Sequence, residues 1–245
     1  MTAQEVLIRD ESQSAAPEGG IVEHAHAITG FREQIRPALV GIVLLTLLTG
    51  IVFPLVLAGV AVPLFPHQAG GSLTSRGGVT IGSELIGQRS YWPGDFFPRP
   101  SAAGRGYDAT ASGGTNLGPA NPKLLDGAKG SIDGSTPPFA GVWQLAVGYR
   151  RINGLSPNVP VPIDAVTRSG SGLDPHISEA NADLQVPRVA RERRISEETV
   201  RRLVADHTSG RQLGFLGEPR VAVLPLNLAL DQIAPQSASS RQFAK

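Results

Sequence analysis

The sequence predicts an α+β protein: a single N-terminal transmembrane helix followed by one loop-rich extracytoplasmic α+β domain. Three observations carry that reading. No formal charge occurs between Arg36 and Arg76, and Ala38 to Phe65 is almost purely apolar. Glycine and proline, 29 and 20 of 245 residues, crowd the stretch from Gly70 to Pro138. Beyond it lie capped, helix-like segments and one short run with strand character.

The apolar run comes first. A bilayer core takes about 20 apolar residues in helical form, and Ala38–Phe65 exceeds that. A surface helix of a soluble protein would keep a polar stripe. A secretory signal has a shorter apolar region, about 7–15 residues, near the N-terminus. Gly59-Val60-Ala61 has the small-x-small spacing of a cleavage site, which leaves a cleaved leader as the alternative. Lys and Arg favour the cytoplasmic flank of a span. Arg32 and Arg36 precede this one and Arg76 follows, which puts the N-terminus in the cytoplasm and the domain outside. Thr46, Gly50 and Pro54 recur every four residues, a small-residue face suited to a partner helix. Ordinary membrane-helix composition is the plainer reading. Pro54 is expected to kink the span. No ionisable residue lies inside it, so the helix carries no ion site of its own.

The remaining elements follow in order. Residues 1–33 read as a flexible cytoplasmic tail, 34–64 as the transmembrane helix, 67–230 as the domain and 231–245 as a C-terminal tail. A short element is expected at Gly82–Gln88 and a helical turn at Pro122–Ala128. A helix is expected over Pro138–Asn153, with Phe139, Val142, Ala146 and Tyr149 on one face and Gly154 stopping it. Another runs from Ser178 to Arg194, kinked or interrupted by Pro187. Ser196 caps a third, whose first turn holds Glu197 and Glu198 and whose apolar stripe is Val200, Leu203 and Val204. Arg220–Leu226 reads as a strand that Pro225 confines to an edge or ends.

Composition narrows the chemistry. A net charge of +1 without a concentrated basic face argues against nucleic acid. There is no cysteine, which fits either side of the membrane. His24 and His26 lack the further ligands that a zinc site needs, and no metal is expected. Two segments are dense in Gly and polar residues: Arg99 to Pro119, containing Ser112-Gly113-Gly114-Thr115-Asn116, and Thr167 to Ser178. Within them Arg99, Asn116, Ser171, Asp174 and His176 stand out as partner-contact or structural residues. Such blocks form turns or a docking surface. Ser171, His176 and Asp174 have the residue types of a hydrolase set, but no Gly-x-Ser-x-Gly elbow is present. Asp174-Pro175 more simply makes a turn leading into the helix after Ser178. Ser112, Gly113 and Gly114 are weak candidates for an anion-binding nest of backbone amides. The arginines Arg188, Arg191, Arg193, Arg194, Arg201 and Arg202 read as a solvated helix face, with a phosphate or acidic partner surface as the alternative.

Several segments, taken in order, resemble one family. They are Leu64-Phe65-Pro66-His67-Gln68-Ala69 and Gly82-Ser83-Glu84-Leu85-Ile86-Gly87-Gln88, then Arg99-Pro100-Ser101-Ala102 and Ser112-Gly113-Gly114-Thr115-Asn116-Leu117-Gly118-Pro119. Ser169-Gly170-Ser171-Gly172-Leu173-Asp174-Pro175-His176-Ile177-Ser178 follows, with Gln185-Val186-Pro187-Arg188-Val189-Ala190 and Val223-Leu224-Pro225-Leu226-Asn227. The chain resembles the C subunit of bacterial Kdp-type potassium-transporting ATPases over about residues 36–230. The long N-terminal tail and the extended Gly130–Pro160 region depart from the family's short form. The resemblance implies an accessory subunit, without catalytic residues, of a high-affinity potassium uptake pump in the bacterial inner membrane. It implies three partners: a potassium-conducting subunit, a P-type ATPase subunit and a small single-span peptide. It also implies an influence on nucleotide affinity, and Ser112-Gly113-Gly114 is similar to the signature loop of ATP-binding cassettes. An extracytoplasmic domain conflicts with direct ATP contact, so ATP is expected through the ATPase subunit. A nucleotide-binding regulator and a membrane-anchored hydrolase remain the alternatives.

Overall fold

A computed structural model describes residues 31–128 and 139–235. The tail before residue 31, with His24 and His26, lies outside them, as do Pro138 and the C-terminal residues from 236 onward. The chain divides between Val60 and Ala61 into two compact units.

The first unit is helical. Helices α1 (Phe31–Leu47) and α2 (Phe53–Leu64) are joined by a π-helical turn, Leu48–Val52, into one continuous rod. Its apolar part, Glu33–Leu64, is 32 residues with a peak mean hydropathy of 2.6. At ~1.5 Å per residue it spans roughly 48 Å, more than the ~30 Å of a bilayer core. Pro54 does not break the helix. The widened turn lies where its ring would crowd the Gly50 carbonyl, and the Phe53 amide reaches back to the Leu48 carbonyl. Gly50 keeps the same face as Thr46, whose methyl lies 4.0 Å from the position a Gly50 side chain would take.

The second unit mixes helices and sheets. After the short α3 (Pro66–Ala69), strands β1 (Leu73–Arg76) and β2 (Val79–Ser83) form an antiparallel hairpin. Gly77 and Gly78 make its two-residue turn at φ of 59° and 79°, conformations that favour glycine. The element expected at Gly82–Gln88 therefore lies earlier: β2 ends at Ser83 and residues 84–86 form a turn. Residues 87–121 are irregular apart from one 3-10 turn, Ala109–Ala111, as the glycine and proline content implies.

Helix α4 (Pro122–Asp126) is capped by Asn121, whose side chain accepts from the Lys123 amide at 3.0 Å. Helix α5 spans Val142–Asn153, shorter than expected. The Gly141 amide donates to Gln144 Oε1 at 2.8 Å and fixes the start there, so Phe139 precedes the helix instead of lying on its face. Gly154 ends α5 in the left-handed region, as expected.

Strand β3 (His176–Ile177) leads into α6 (Glu179–Arg193), and α7 (Glu197–Asp206) follows. Ser178 and Ser196 cap the two helices, each accepting a backbone N–H at 3.1 Å. Pro187 does not interrupt α6, which runs through it. Its neighbours Val186, Arg188 and Val189 are buried, and their packing holds the helix through a residue that costs about 3 kcal/mol in isolation. Strands β4 (Thr208–Ser209) and β5 (Arg220–Ala222) complete an antiparallel sheet in the order β3-β5-β4. The strand expected over Arg220–Leu226 ends at Ala222, and helix α8 (Val223–Ile233) begins at once. Pro225 sits in the first turn of α8, where a missing N–H leaves no bond unmade.

The core lies between α6, α7, α8 and β5. Ile177, Val186, Val189, Val200, Val221, Leu226 and Leu230 are at most 2% exposed. Phe96, from the irregular segment, closes it at 0%.

Candidate functional site

The two polar blocks singled out in the sequence meet in space. The Gly113 amide donates to the Ser171 carbonyl at 2.8 Å, and the Ser112 hydroxyl to the same oxygen at 3.0 Å. The Gly113 amide of the expected anion nest is therefore turned onto this chain's own backbone. Ser101 brings a third segment into the junction: its hydroxyl donates to the Gly172 carbonyl at 2.6 Å and accepts from the Tyr107 amide at 2.7 Å. Gly172 is buried at φ 67°. A Cβ there would lie 2.6 Å from both the Ala103 amide nitrogen and the Gly113 carbonyl oxygen. Gly170 differs: it has open space around it and an ordinary φ, so only one of these two glycines is needed for its conformation. Its backbone instead approaches Gly114, whose Cβ position lies 3.1 Å from the Gly170 carbonyl oxygen.

Asp174 is the charged hub. One carboxylate oxygen pairs with Arg99 at 2.9 Å; the other accepts from the His176 amide at 3.0 Å and lies 3.5 Å from the His176 ring nitrogen. Partial burial opposes its ionisation, but the bonds from His176 and the charge of Arg99 outweigh that and hold Asp174 down to about 2. Arg99 also reaches Thr167, and Tyr107 donates to the Arg99 carbonyl at 2.6 Å. The Gly87 amide donates to the Leu173 carbonyl at 2.7 Å, bringing the hairpin's exit into the same knot.

No hydrogen bond joins Ser171 to His176 among the described residues. The Ser171 hydroxyl accepts from the Leu173 amide at 3.1 Å and meets Ser169 at 3.3 Å. Asp174 thus forms the turn that the sequence suggested, with the serine committed to the loop. Asn116 stands apart, exposed and at φ 50°. Thr46, Gly50 and Pro54 are exposed along the apolar helix.

Sequence reasoning misplaced two of the arginines. Arg188 and Arg193 are 1% and 6% exposed, while Arg191, Arg194, Arg201 and Arg202 are exposed as expected. Arg188 donates to Asn153 at 2.9 Å, to Gln185 at 2.7 Å and to the Pro93 and Asp95 carbonyls, and its guanidinium stacks 4.3 Å from the Phe97 ring. Burial lowers it to about 10, which leaves it a cation near neutrality. Arg193 bonds Asp95 at 2.7 Å, Asp231 at 2.9 Å and the Gly94 carbonyl at 2.6 Å, over the Trp92 ring. Burial pushes the Asp95 carboxyl up, against the pull of Ser90 and Arg193. Asp231 is shared with Arg76 at 2.9 Å, so the ordered structure continues past residue 230.

Two carboxamides hold the extended segment before Arg99. Asn227 accepts from the Phe96 amide at 2.7 Å and donates to the Phe96 carbonyl at 2.9 Å. Gln185 accepts from the Phe97 amide at 2.8 Å and donates to the Phe97 carbonyl at 3.1 Å. Asn181, Gln185 and Arg188 form a buried polar stripe along α6, with Tyr149 donating to Asn181 at 2.9 Å. Asp164 caps this helix by accepting from the Ser178 amide at 2.8 Å and from Asn181 at 2.9 Å.

Comparison with known proteins identifies the family. The family described as KdpC: K+-transporting ATPase, c chain, matches residues 35–232. The chain is 51% identical over 202 residues to the potassium-transporting ATPase KdpC subunit of Mycobacterium tuberculosis (strain ATCC 25618 / H37Rv), covering 82% of this chain and 100% of that one. It is 50% identical over 201 residues to the KdpC subunit of Koribacter versatilis, covering 82% of this chain and 91% of that one. For that of Polaromonas naphthalenivorans the figures are 52% over 207 residues, 83% and 97%. The match takes in the apolar helix, the knot around Gly172 and Asp174, and the buried stripe of α6, and the chain belongs to the KdpC family.

Proposed function

We propose that this chain is the accessory subunit of a high-affinity, ATP-driven potassium uptake pump, and that it stabilises the complex of the potassium-conducting and ATP-hydrolysing subunits. Glu33–Leu64 anchors it in the bacterial inner membrane, with the N-terminus cytoplasmic and the domain outside. A small single-span peptide subunit completes the assembly. Thr46, Gly50 and Pro54 offer the helix face for a neighbour in the membrane. ATP acts through the ATPase subunit, and this chain supplies no bond-breaking group. The observation that carries the reading is the family match over residues 35–232, which takes in both anchor and domain. It is supported by the commitment of Ser171, Gly113 and Asp174 to bonds within the chain.

The test is co-expression of the tagged chain with the other subunits in bacterial membranes, followed by purification and potassium-stimulated ATP hydrolysis. Deleting the chain should lower recovery of the assembled complex. Undiminished recovery and potassium uptake without it would refute the proposal. Protease added to spheroplasts should digest the chain beyond residue 67, and digestion only in inside-out vesicles would reverse the orientation.

A further inference from the structure

A cleft of about 570 Å3 opens on the domain between the loop around Tyr107 and the start of α5. Among the described residues three arginines, Arg89, Arg105 and Arg168, line it, and no Asp or Glu does. Among the described residues no carboxylate oxygen comes within 4.0 Å of any of the three. The other arginine ion pairs near the fold's centre look different: Arg99 has Asp174, and Arg193 has Asp95 and Asp231.

Among the described residues the cleft arginines are held by uncharged groups. Arg89 donates to the Arg105 and Gly106 carbonyls at 2.8 and 3.3 Å and to the Tyr91 hydroxyl at 3.1 Å. Arg168 donates to the Ala140 carbonyl at 3.1 Å and lies 4.3 Å from the Phe139 ring. Such contacts fix a guanidinium in place and leave several of its five N–H groups free. Tyr107, which both cations face, supplies no counter-charge: burial pushes its hydroxyl up to about 12, so it stays neutral. Half-buried Arg168 is itself shifted down by desolvation, the direction expected of an uncompensated cation.

We infer that this cleft is a docking socket for an acidic side chain of a partner polypeptide. A Glu or Asp on a loop of another pump subunit enters between Arg89 and Arg168, with its chain against the Tyr107 and Phe139 rings. Charge complementarity selects the carboxylate, and the preset guanidiniums suit two-pronged bonding. The volume and the aromatic walls select a polypeptide, because a lone inorganic anion would leave most of the space and the apolar surface unfilled. The inference rests on the accessory-subunit reading above.

The experiment uses the full chain co-expressed with the pump's other subunits and carrying a photo-reactive phenylalanine analogue at Thr115, on the cleft wall. Irradiation should join it to one subunit through a peptide that contains Asp or Glu. Arg168→Gln should weaken retention of that subunit about tenfold at 50 mM salt, with the difference gone at 500 mM, and Arg168→Lys, which keeps the charge without the fork, should restore it in part. Arg105→Glu acts in the same direction from an exposed residue whose side chain makes no hydrogen bond or ion pair among the described residues, its carbonyl alone accepting from Arg89, so it covers the case in which Arg168→Gln unfolds. A cross-link to a segment lacking acids, or wild-type retention by a folded Arg168→Gln chain, would overturn the inference. So would stabilisation of the wild type but not Arg168→Gln by 10 mM inorganic phosphate with the cross-link unaltered, which marks a small-anion site. If the wild-type chain retains no pump subunit at all, the accessory-subunit reading itself fails and takes the socket with it.

Discussion

Replacing Gly172 with alanine isolates the energetic role of the knot. The residue is at φ 67°, and an added Cβ meets two backbone atoms at 2.6 Å. A left-handed conformation costs a non-glycine residue about 1–2 kcal/mol. Relieving the contacts means shifting Ala103 and Gly113, which adds strain of about 1–3 kcal/mol. The sum is about 2–5 kcal/mol, against a total stability of ~5–15. For a domain of this size that lowers the melting temperature by about 4–20 °C. Unfolding of the detergent-solubilised full chain can be followed through Trp92, which packs under Arg193. Gly170→Ala is the matched control, because that position has open space and an ordinary φ; it should change stability by less than ~1 kcal/mol. If Gly172→Ala were as stable as Gly170→Ala, the geometric argument would be wrong. Pump activity per assembled complex should stay near wild type while yield falls.

Three further outcomes follow from the same geometry. Arg193→Met leaves Asp95 and Asp231 facing each other without their shared cation, and should cost about 3–5 kcal/mol in urea unfolding; a loss under 1 would show the buried ions to be dispensable. Asp174 has its folded pKa depressed to about 2, so its contribution is complete above the unfolded value near 4 and disappears as pH falls toward 2; Asp174→Asn should flatten that part of the stability profile, and an unchanged profile would remove Asp174, with its His176 and Arg99 bonds, as its cause. Ser171→Ala should cost about 0.5–1.5 kcal/mol through lost turn bonds and leave potassium-stimulated ATP hydrolysis per complex intact; ester-hydrolysing activity abolished by this change would revive the hydrolase reading.

Local signals were legible wherever a side chain acts on its own neighbours. Ser178 and Ser196 cap helices, Gly154 ends one, and Asp174 turns the chain, each within four residues. The hairpin was missed because Leu73 and Val79 are both exposed, so its strands carry no alternating pattern. The first turn of α8 was read as part of the strand because Arg220–Leu226 alternates, and Pro225 was weighed as ending a strand although it suits the first turn of a helix. The buried arginines left a trace that was readable. Ala182, Val186 and Val189 set the core face of α6, and one further step of four reaches Arg193. Asn181, Gln185 and Arg188 repeat the same spacing on the adjoining stripe. Nothing local could reveal the partners, since Arg188 bonds the Pro93 and Asp95 carbonyls and Arg193 bonds Asp95, far away in sequence. The junction of the two polar blocks was likewise hidden: glycine-rich turns carry no pattern that names what they lie against.

The carboxamides of Gln185 and Asn227 have a consequence for how the domain fluctuates. Each presents one N–H and one C=O to the same residue, which is what a neighbouring peptide group offers across a ladder. Phe96 and Phe97 are thus paired as strand residues without any adjacent strand, and their amide protons should exchange with solvent as slowly as those of β5. The pairing comes from α6 and α8 together, so the segment is tied to both helices. Gln185→Glu or Asn227→Asp would set a carboxylate against a carbonyl oxygen and loosen this segment.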